Sequence, residues 1–333
     1  MVYSWQGKNN YIFSRIGNIT LNFLLTALFT KWINMKEKSM PKYSIKDLEE
    51  LSGIKAHTLR MWEKRHAIIT PQRTKTNIRF YSDDDLKRLL NIAILNRHGI
   101  KISHIAKLSQ ESIKEKVMHL TNETSDAFTQ IENLVVSMLD LDDIKFKKIL
   151  GDSIIKFGFE ESVVQIMHPF FEKVGLLWQT GSIIPAQEHF VSNLLRQKLI
   201  VAIDGQEASP RSDAKTFILF LHDNELHELG LLFYSYLLKR RGHRVIYLGQ
   251  KVPLDNLKHI VSIREADYFL TTFTTGISPE KMKEYLFYLS ESFPRQKIFF
   301  TGYQTSALTG KLPENLKKIN SMEHFCSIMD SIN

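Results

Sequence analysis

The stretch SIKDLEELSGIKAHTLRMWEKR, residues 44–65, indicates how the amino-terminal part of the chain folds. Ser44 is a favourable helix N-cap, and Asp47 stands where a capping box places its acidic side chain. The apolar residues of this segment recur at helical spacing, at Ile45, Leu48 and Leu51. Ser52-Gly53 predicts a tight turn, and residues 55–65 predict a second helix. This order is the helix-turn-helix plan, whose second helix enters the major groove of DNA.

A predicted β-hairpin, or wing, follows at residues 69–81. Two short β-prone pieces flank the polar turn 74–77, and a further helix begins at Ser82 and runs to about His98. The hairpin carries three basic residues, which are Arg73, Lys75 and Arg79. The helix at 55–65 is predicted to expose side chains suited to phosphates and base edges, which are Lys55, His57, Thr58, Arg60 and Lys64.

Charge is distributed unevenly along the 333 residues, whose net charge is +8. Residues 41–109 contain 14 Lys/Arg and 7 Asp/Glu, residues 1–40 carry a net +4, and residues 110–333 sum to −3. A basic segment attracts the phosphate backbone, and counterion release adds to affinity. Such asymmetry indicates a nucleic-acid partner or an anionic membrane surface. The one cysteine, Cys326, excludes a disulfide framework and a multi-cysteine metal site, and favours a reducing cytoplasm.

The order of these parts resembles the MerR family of transcriptional regulators. The matching residues are Thr58-Leu-Arg-Met-Trp-Glu63, Pro71-x-Arg73 and Arg79-x-Tyr81. The resemblance implies a homodimer on an inverted-repeat promoter with distorted DNA between the half-sites. It assigns contacts with the DNA backbone to four residues, which are Arg60, Arg73, Arg79 and Tyr81. Trp62 either contacts a phosphate or packs in the small core. The family's usual tyrosines are Met61 and Trp62 here, and its wing glycine is replaced around Asn77-Ile78.

The first 39 residues precede this domain. Residues 19–29 are apolar, but 11 residues are too few to span a bilayer, which needs about 20. Met35 and Met40 both lie just before the predicted domain. We therefore expect residues 1–34 or 1–39 to be upstream sequence translated from a wrong start codon. A membrane anchor and a poorly ordered natural extension are the alternatives.

Four runs of apolar residues at helical spacing predict a four-helix bundle at residues 125–205. On composition alone this bundle could be a dimerisation domain. One junction is unusual, because Trp178 ends one predicted helix and Glu188-His189 begin the next. These side chains would suit a flat, partly polar ligand. On spacing alone, a core tryptophan and a surface Glu-His pair are the more common arrangement.

From residue 216 onward, short apolar runs alternate with helical segments. The predicted strands are 216–221, 244–249, 267–272 and 297–301, and the predicted helices are 225–241, 254–264 and 280–290. This alternation predicts a doubly wound parallel sheet. Sheets of this kind bind ligands at the carboxyl ends of their strands.

The loop after the first of these strands reads His222-Asp-Asn-Glu-Leu-His-Glu-Leu-Gly230. A neutral imidazole at His227 can donate a lone pair to a metal, and the acidic Glu225 can fix its tautomer. A lone histidine is more often structural. The residues alone leave both interpretations open.

The junction and the loop together resemble cobalamin-binding regulators of the CarH and LitR type and related corrinoid proteins. In that family the Trp and the Glu-His pair line the upper face of the corrin ring, which implies this role for Trp178, Glu188 and His189. The loop is similar to the family's Asp-x-His-x-x-Gly. The resemblance therefore implies that His227 is the lower ligand of the cobalt, with Glu225 in place of Asp and Gly230 as the loop glycine.

Two further family motifs match in degraded form. Thr272-x-Thr274 stands for Ser-x-Leu, and Thr301-Gly302 stands for Gly-Gly. The resemblance implies that Thr272 hydrogen-bonds the displaced nucleotide base and that Gly302 lines the tail pocket, which the missing glycine would crowd. Gln179 stands where light-sensing members have a histidine, which argues against copying their photochemistry.

The predicted fold class is multi-domain: an α winged helix-turn-helix, then a four-helix bundle, then a Rossmann-like α/β domain with a doubly wound parallel sheet. The predicted segments are the extension 1–39, the DNA-binding domain 40–110, a linker or dimerisation helix 111–124, the bundle 125–205, a linker 206–215 and the cobalamin-binding-like α/β domain 216–333.

The predicted function is transcriptional regulation without enzymatic activity. Promoter binding would be controlled by cobalamin, with adenosylcobalamin preferred and light as a possible signal, bound between the bundle and the α/β domain. We expect a homodimer or homotetramer on inverted-repeat promoter DNA, with RNA polymerase nearby, no stable membrane association and a cytoplasmic location. One alternative is a C-terminal module that has lost cobalamin and responds to a protein partner or another ligand. Another is a corrinoid methyl-transfer or mutase component, which the DNA-binding domain disfavours.

Overall fold

The computed structural model describes residues 43–74, 76–123, 126–179, 182–206, 210–274 and 277–332. These residues form two compact units, the first ending at Glu188 and the second beginning at His189. The predictions for residues 1–39 and for Lys75 lie outside the described residues. In the part of the chain that is described, no helix has the length and apolar character needed to cross a membrane.

The first unit opens with a winged helix-turn-helix domain. Its elements are α1 (Ile45–Ser52), α2 (Ala56–His66), β1 (Gln72–Arg73), β2 (Arg79–Phe80) and α3 (Asp83–Arg97). The predicted capping box is present, because the Ser44 side chain accepts from the Asp47 N–H and the Asp47 carboxylate accepts from the Ser44 N–H. Gly53 adopts a left-handed φ of 71°, a conformation that favours glycine, and so turns the chain from α1 into α2. The two short strands pair antiparallel and form the predicted wing.

A helical region completes the first unit. It contains α4 (Ile102–Ile105), α5 (Gln110–Glu123), α6 (Ala127–Asp140), α7 (Asp143–Phe157), α8 (Phe159–Ser162), a π-helical turn (Val163–Met167) and α9 (His168–Gln179). Helix α3 of the winged domain packs against α6. The winged domain is therefore in direct contact with the part of the predicted bundle that lies in this unit, and is joined to it by packing as well as by the chain.

The second unit contains most of the last bundle helix and a five-stranded sheet. Helix α10 spans Pro185–Asp204, and the division between the units falls inside it. The other elements are β3 (Thr216–Phe220), α11 (Leu229–Arg240), β4 (Arg244–Gly249), α12 (Leu254–Ile263), β5 (Tyr268–Thr272), α13 (Pro279–Ser292), β6 (Lys297–Thr301), a 3₁₀ turn (Tyr303–Ala307), β7 (Leu316–Lys318) and α14 (Met322–Ile332).

All strand pairs of this sheet are parallel, in the order β4-β3-β5-β6-β7. The doubly wound parallel sheet predicted from the sequence is confirmed. Buried residues of β3 and β5, among them Phe220 and Phe269, form a core with apolar residues of α13. The strand β7 was not predicted from the sequence, because its three residues are Leu-Lys-Lys and show no apolar run.

One predicted helix begins four residues later than expected. The sequence suggested a start at Glu225, whereas α11 begins at Leu229. The Glu225 carboxylate accepts from the backbone N–H groups of Leu226 and His227, both at 3.0 Å. A side chain that binds the following N–H groups stabilises a turn in competition with a helix. Residues 225–228 therefore form a loop.

Candidate DNA-binding and cofactor-binding sites

The predicted DNA-reading residues of α2 lie on an accessible surface. Lys55, His57 and Arg60 are exposed, and Thr58 is half-buried. Lys55 Nζ lies 3.0 Å from a Glu49 carboxylate oxygen, an exposed pair that competes little with a phosphate. The arrangement leaves a basic and polar helix face suited to DNA.

The wing adds two accessible guanidinium groups. Arg73 is exposed and donates from Nη1 to the Asn77 side-chain oxygen at 2.7 Å, which steadies the hairpin. Asn77 takes a positive φ of 65°, which asparagine tolerates better than most residues and which compensates for the missing wing glycine. Arg79 is exposed, with Nε 3.8 Å from a Glu63 carboxylate oxygen. Both arginines stand where a phosphate backbone can reach them.

Two other predicted DNA contacts lie in the core of the winged domain. Tyr81 is fully buried, and its hydroxyl donates to Glu63 Oε2 at 3.1 Å. Burial, followed by the charge of Glu63, raises the pKa of Tyr81 to about 12. Trp62 is also buried, which corresponds to the packing alternative raised from the sequence. The structure does not present either side chain on the DNA-facing surface, because each fills a small core built around α1, α2 and α3.

The predicted metal-binding loop is organised by a buried carboxylate. Glu225 is fully buried, and its Oε1 accepts from His227 Nδ1 at 2.7 Å as well as from two backbone N–H groups. Its Oε2 accepts from the Thr274 N–H at 2.7 Å, which joins this loop to the loop after β5. The His227 side chain is 56% exposed. Donation from Nδ1 to the carboxylate places the lone pair on Nε2, the form in which an imidazole binds a metal.

The carboxyl ends of β5 and β6 lie beside each other. Thr272, the last residue of β5, is paired in register with Thr301, the last residue of β6. The Thr272 Oγ1 is buried and has no hydrogen-bond partner among the residues that the structure describes. A buried hydroxyl without a partner is costly, and a ligand's polar group would satisfy it.

The two predicted cofactor glycines occupy different surroundings. Gly302 has a φ of 113°, and a Cβ there would lie 2.3 Å from the Phe273 carbonyl oxygen, so only glycine fits between the two loops. Gly230, in the first turn of α11, has no heavy atom within 4 Å of a built Cβ. Gly230 therefore leaves open space above the helix start, next to the His227 loop.

The predicted cap residues lie at helix ends. Trp178 is the penultimate residue of α9 and is 48% exposed, a high value for so large an apolar side chain. Glu188 is half-buried and His189 exposed, and both lie near the start of α10. The Gln179 side chain lies outside the described part of the structure. An exposed tryptophan offers a flat apolar surface, which a planar ligand would cover.

A charged network beside the His227 loop was not predicted from the sequence. Glu228, the neighbour of His227, accepts from Arg196 Nε of α10 at 2.9 Å and from the Tyr247 hydroxyl at 3.1 Å. Burial and the charge of Glu228 raise the pKa of Tyr247 well above its usual range. Nothing local in the sequence predicts this network, because its members come from a helix, a loop and a strand. It fixes the position of the loop that carries His227.

These residues fit a corrinoid. In the second unit, the loop supplies an accessible imidazole whose tautomer is set, and β5 supplies an orphaned buried hydroxyl. In the first unit, taken by itself, the end of α9 supplies an exposed aromatic face. The described residues contain no group of three or more His, Cys, Asp or Glu side chains arranged to hold a metal ion alone. One imidazole suits a metal that arrives already ligated by a macrocycle.

Two family profiles match the chain. That of the MerR HTH family regulatory protein covers residues 43–112, and that of the B12 binding domain covers residues 130–202. The chain therefore contains one region that matches the MerR HTH family and one that matches the B12 binding domain, and both resemblances predicted from the sequence are confirmed. The B12 match ends before the His227 loop.

The chain is also similar to two transcriptional repressors. The chain is 29% identical over 259 residues to the HTH-type transcriptional repressor CarH of Myxococcus xanthus, covering 76% of this chain and 86% of CarH. It is 26% identical over 245 residues to the repressor CarA of the same organism, covering 73% of this chain and 80% of CarA. A solved monomethylamine corrinoid protein from Methanosarcina barkeri superposes with a TM-score of 0.47 at 12% identity, over 59% of this chain and 94% of that one.

Proposed function

We propose that this chain is a transcriptional regulator that binds promoter DNA through its winged helix-turn-helix domain and is controlled by bound cobalamin. The observation that carries the proposal is the His227 imidazole, accessible and oriented through Nδ1 by the buried Glu225 carboxylate. The B12 binding domain match supplies independent support for the cofactor. The proposed location is the cytoplasm, where promoter DNA is found.

Each candidate residue has a proposed role toward the cofactor. Cobalamin, when bound, would supply a cobalt ion that an imidazole can ligate. His227 would bind it through Nε2, Glu225 would hold the imidazole in the required tautomer, and Thr272 would hydrogen-bond the buried part of the ligand. Trp178, Glu188 and His189 would contact the corrin ring. Gly230 and Gly302 would keep the loops close to the ligand and free of side chains.

DNA binding would use the basic surface of α2 and the wing. The proposed contacts are those of Lys55, His57, Thr58, Arg60, Arg73, Lys75 and Arg79, with an inverted-repeat promoter bound by a homodimer or homotetramer close to RNA polymerase. Cobalamin changes DNA affinity only if it stabilises one arrangement or assembly over another. Adenosylcobalamin is the proposed ligand. Its response to light is a separate property that can be tested. The proposed role is regulatory, with no catalytic step.

A second candidate function is a regulator whose carboxy-terminal module no longer binds cobalamin and responds to a protein partner. The observation that favours it lies at Thr301, which replaces the first glycine of the family's pair. The Thr301 hydroxyl donates to the Ile319 carbonyl oxygen at 3.0 Å, so this side chain is fixed beside the proposed tail pocket. A fixed side chain there narrows the space available to a nucleotide tail.

The visible absorption spectrum separates the two candidates. The full chain is mixed with adenosylcobalamin in the dark and desalted, in parallel with His227→Ala and with His259→Ala, a control at an exposed histidine of α12. We expect a corrin spectrum to be retained by the parent and by the control, and to be lost or altered in His227→Ala. A colourless parent would contradict cobalamin binding and favour the second candidate.

A further inference from the structure

Helix α9, which carries Trp178, is tied to the winged domain through Lys173. The Lys173 ammonium donates to the main-chain carbonyl oxygen of Leu51 at 2.7 Å. Leu51 lies in the last turn of α1, two residues before the Gly53 turn that leads into α2. A cation is favourable there because the last carbonyl groups form the negative end of the helix dipole. Lys173 therefore contacts the turn that sets the direction of α2, the proposed DNA-recognition helix.

Lys173 is itself held by a buried carboxylate on α6. Glu132 is fully buried, and its Oε1 accepts from the Lys173 ammonium, while Oε2 has no hydrogen-bond partner in the described part of the chain. The ring of Phe128 lies 5.5 Å from Lys173 Nζ and 4.2 Å from the Arg97 guanidinium carbon of α3. One ammonium thus balances a buried charge and caps α1 at the same time. A displacement of α9 relative to α1 breaks at least one of these contacts.

A second contact with the winged domain is made by Ser182, four residues after Trp178 in the chain. The Tyr43 hydroxyl lies 3.0 Å from the Ser182 carbonyl oxygen and 2.7 Å from Asp83 Oδ1. Tyr43 is fully buried and exchanges two backbone hydrogen bonds of 2.9 Å with Tyr81, the residue that follows the wing strand β2. The Ser182 contact therefore reaches the base of the wing.

We propose that Lys173 and Tyr43 are positioning residues that couple the Trp178 cap to the two DNA-reading elements, the recognition helix and the wing. Lys173 precedes Trp178 by five residues, about 7.5 Å along a helix, and Ser182 follows it by four. A ligand that packs on Trp178 and moves the end of α9 acts on both contacts. This inference rests on the proposed function, because cobalamin is the ligand expected at Trp178.

The test uses variants of the full chain that remove each contact with little other change. Tyr43→Phe removes one hydroxyl. Glu132→Gln combined with Lys173→Met removes both charges, so that no unpaired carboxylate stays buried. The matched controls are Tyr288→Phe and Lys147→Met, at exposed positions of α13 and α7. Circular dichroism checks folding, and Tyr43→Phe alone still decides the test if the double variant does not fold.

The readouts are retention of adenosylcobalamin after desalting and affinity for a DNA duplex selected by the parent from a random library. We expect cobalamin to change the DNA dissociation constant of the parent and the controls by about fivefold or more. In both test variants we expect the change to fall below about twofold while the corrin spectrum is retained. A full response in both variants would overturn the inference.

A second readout separates this inference from the proposed function. If the parent takes up no cobalamin, the proposed function fails, but coupling is reciprocal and is still measurable from the DNA side. Adding the selected duplex to the cofactor-free parent then changes amide hydrogen exchange across residues 168–190, and the change is lost in the variants. An unchanged parent, or an equal change in parent and variants, would overturn the coupling.

Discussion

Two fully buried carboxylates, one in each unit, are held in opposite ways. In the described part of the chain, Glu225 accepts from the backbone N–H groups of Leu226, His227 and Thr274 and from the His227 imidazole. Glu132 relies on the single ammonium of Lys173, and one of its oxygens has no partner among the described residues. Backbone donors are fixed by the fold, whereas a lysine side chain is flexible. The first arrangement suits a site that must not move, and the second suits a contact that a ligand can change.

The stability of the first unit should depend strongly on the ion pair between Glu132 and Lys173. Lys173→Met leaves an unpaired buried carboxylate, so we expect the free energy of unfolding to fall by about 3–5 kcal/mol near pH 7.5. Urea unfolding followed by circular dichroism measures this. The surface control Lys147→Met should change it by no more than about 0.5 kcal/mol. A loss below about 1 kcal/mol for Lys173→Met would show that Glu132 is not held by this pair.

Glu225→Gln breaks the other arrangement, because an amide nitrogen cannot accept a hydrogen bond. We expect a smaller loss of unfolding free energy, about 1–3 kcal/mol, since most donors keep one oxygen acceptor. Retention of adenosylcobalamin should fall about 10–100-fold, because a neutral amide raises the basicity of the His227 imidazole less than a carboxylate does. Equilibrium dialysis compares this variant with Glu284→Gln, an exposed control on α13. Equal retention in both variants contradicts the proposed role of Glu225.

The stability of the protein should also depend on pH through Glu132. Burial raises the pKa of Glu132 to about 6 from 4.5, although Lys173 and, more weakly, Arg97 oppose the shift. A raised pKa means that the folded state favours the protonated form. The stabilising contribution is therefore complete below pH 4.5 and is lost as the pH rises through about 6. Relative to Glu132→Gln, the parent should lose about 2 kcal/mol across this window in urea unfolding. A constant difference between the two proteins would contradict the shift.

The smallest effect on stability is expected at Thr272, whose buried hydroxyl, like Glu132 Oε2, has no hydrogen-bond partner among the described residues. Thr272→Val removes a buried hydroxyl that has no partner in the described structure, so the free energy of unfolding should rise by about 1 kcal/mol. Retention of adenosylcobalamin should nevertheless fall severalfold, because the ligand loses a hydrogen bond. Serine at this position should restore it. A Val variant that retains the cofactor as the parent does would remove Thr272 from the site.

Features encoded locally were predictable from the sequence. The Ser44 capping box, the Gly53 turn and four strands of the sheet depend on residues close together in the chain, and the structure contains them. The His227 loop could be located in the same way, because acid, imidazole and glycine follow one another within six residues, and its cofactor role came from the family resemblance.

Features that depend on distant residues were not predictable. Glu132 and Lys173 are 41 positions apart, and Tyr43 and Ser182 are 139 apart, so no periodic pattern links them. The burial of Tyr81 likewise depends on Glu63 and Tyr43, which lie on other elements. The late start of α11 follows from a side chain competing for backbone donors, an effect that helical periodicity does not report.

Control of DNA affinity by the cofactor is the central claim, and one binding measurement tests it directly. Fluorescence anisotropy gives the dissociation constant of the full chain for its selected duplex in the dark, with and without saturating adenosylcobalamin, beside His227→Ala. We expect a shift of about fivefold or more in the parent and none in the variant. Equal affinities in the parent, with the cofactor demonstrably bound, would contradict the claim.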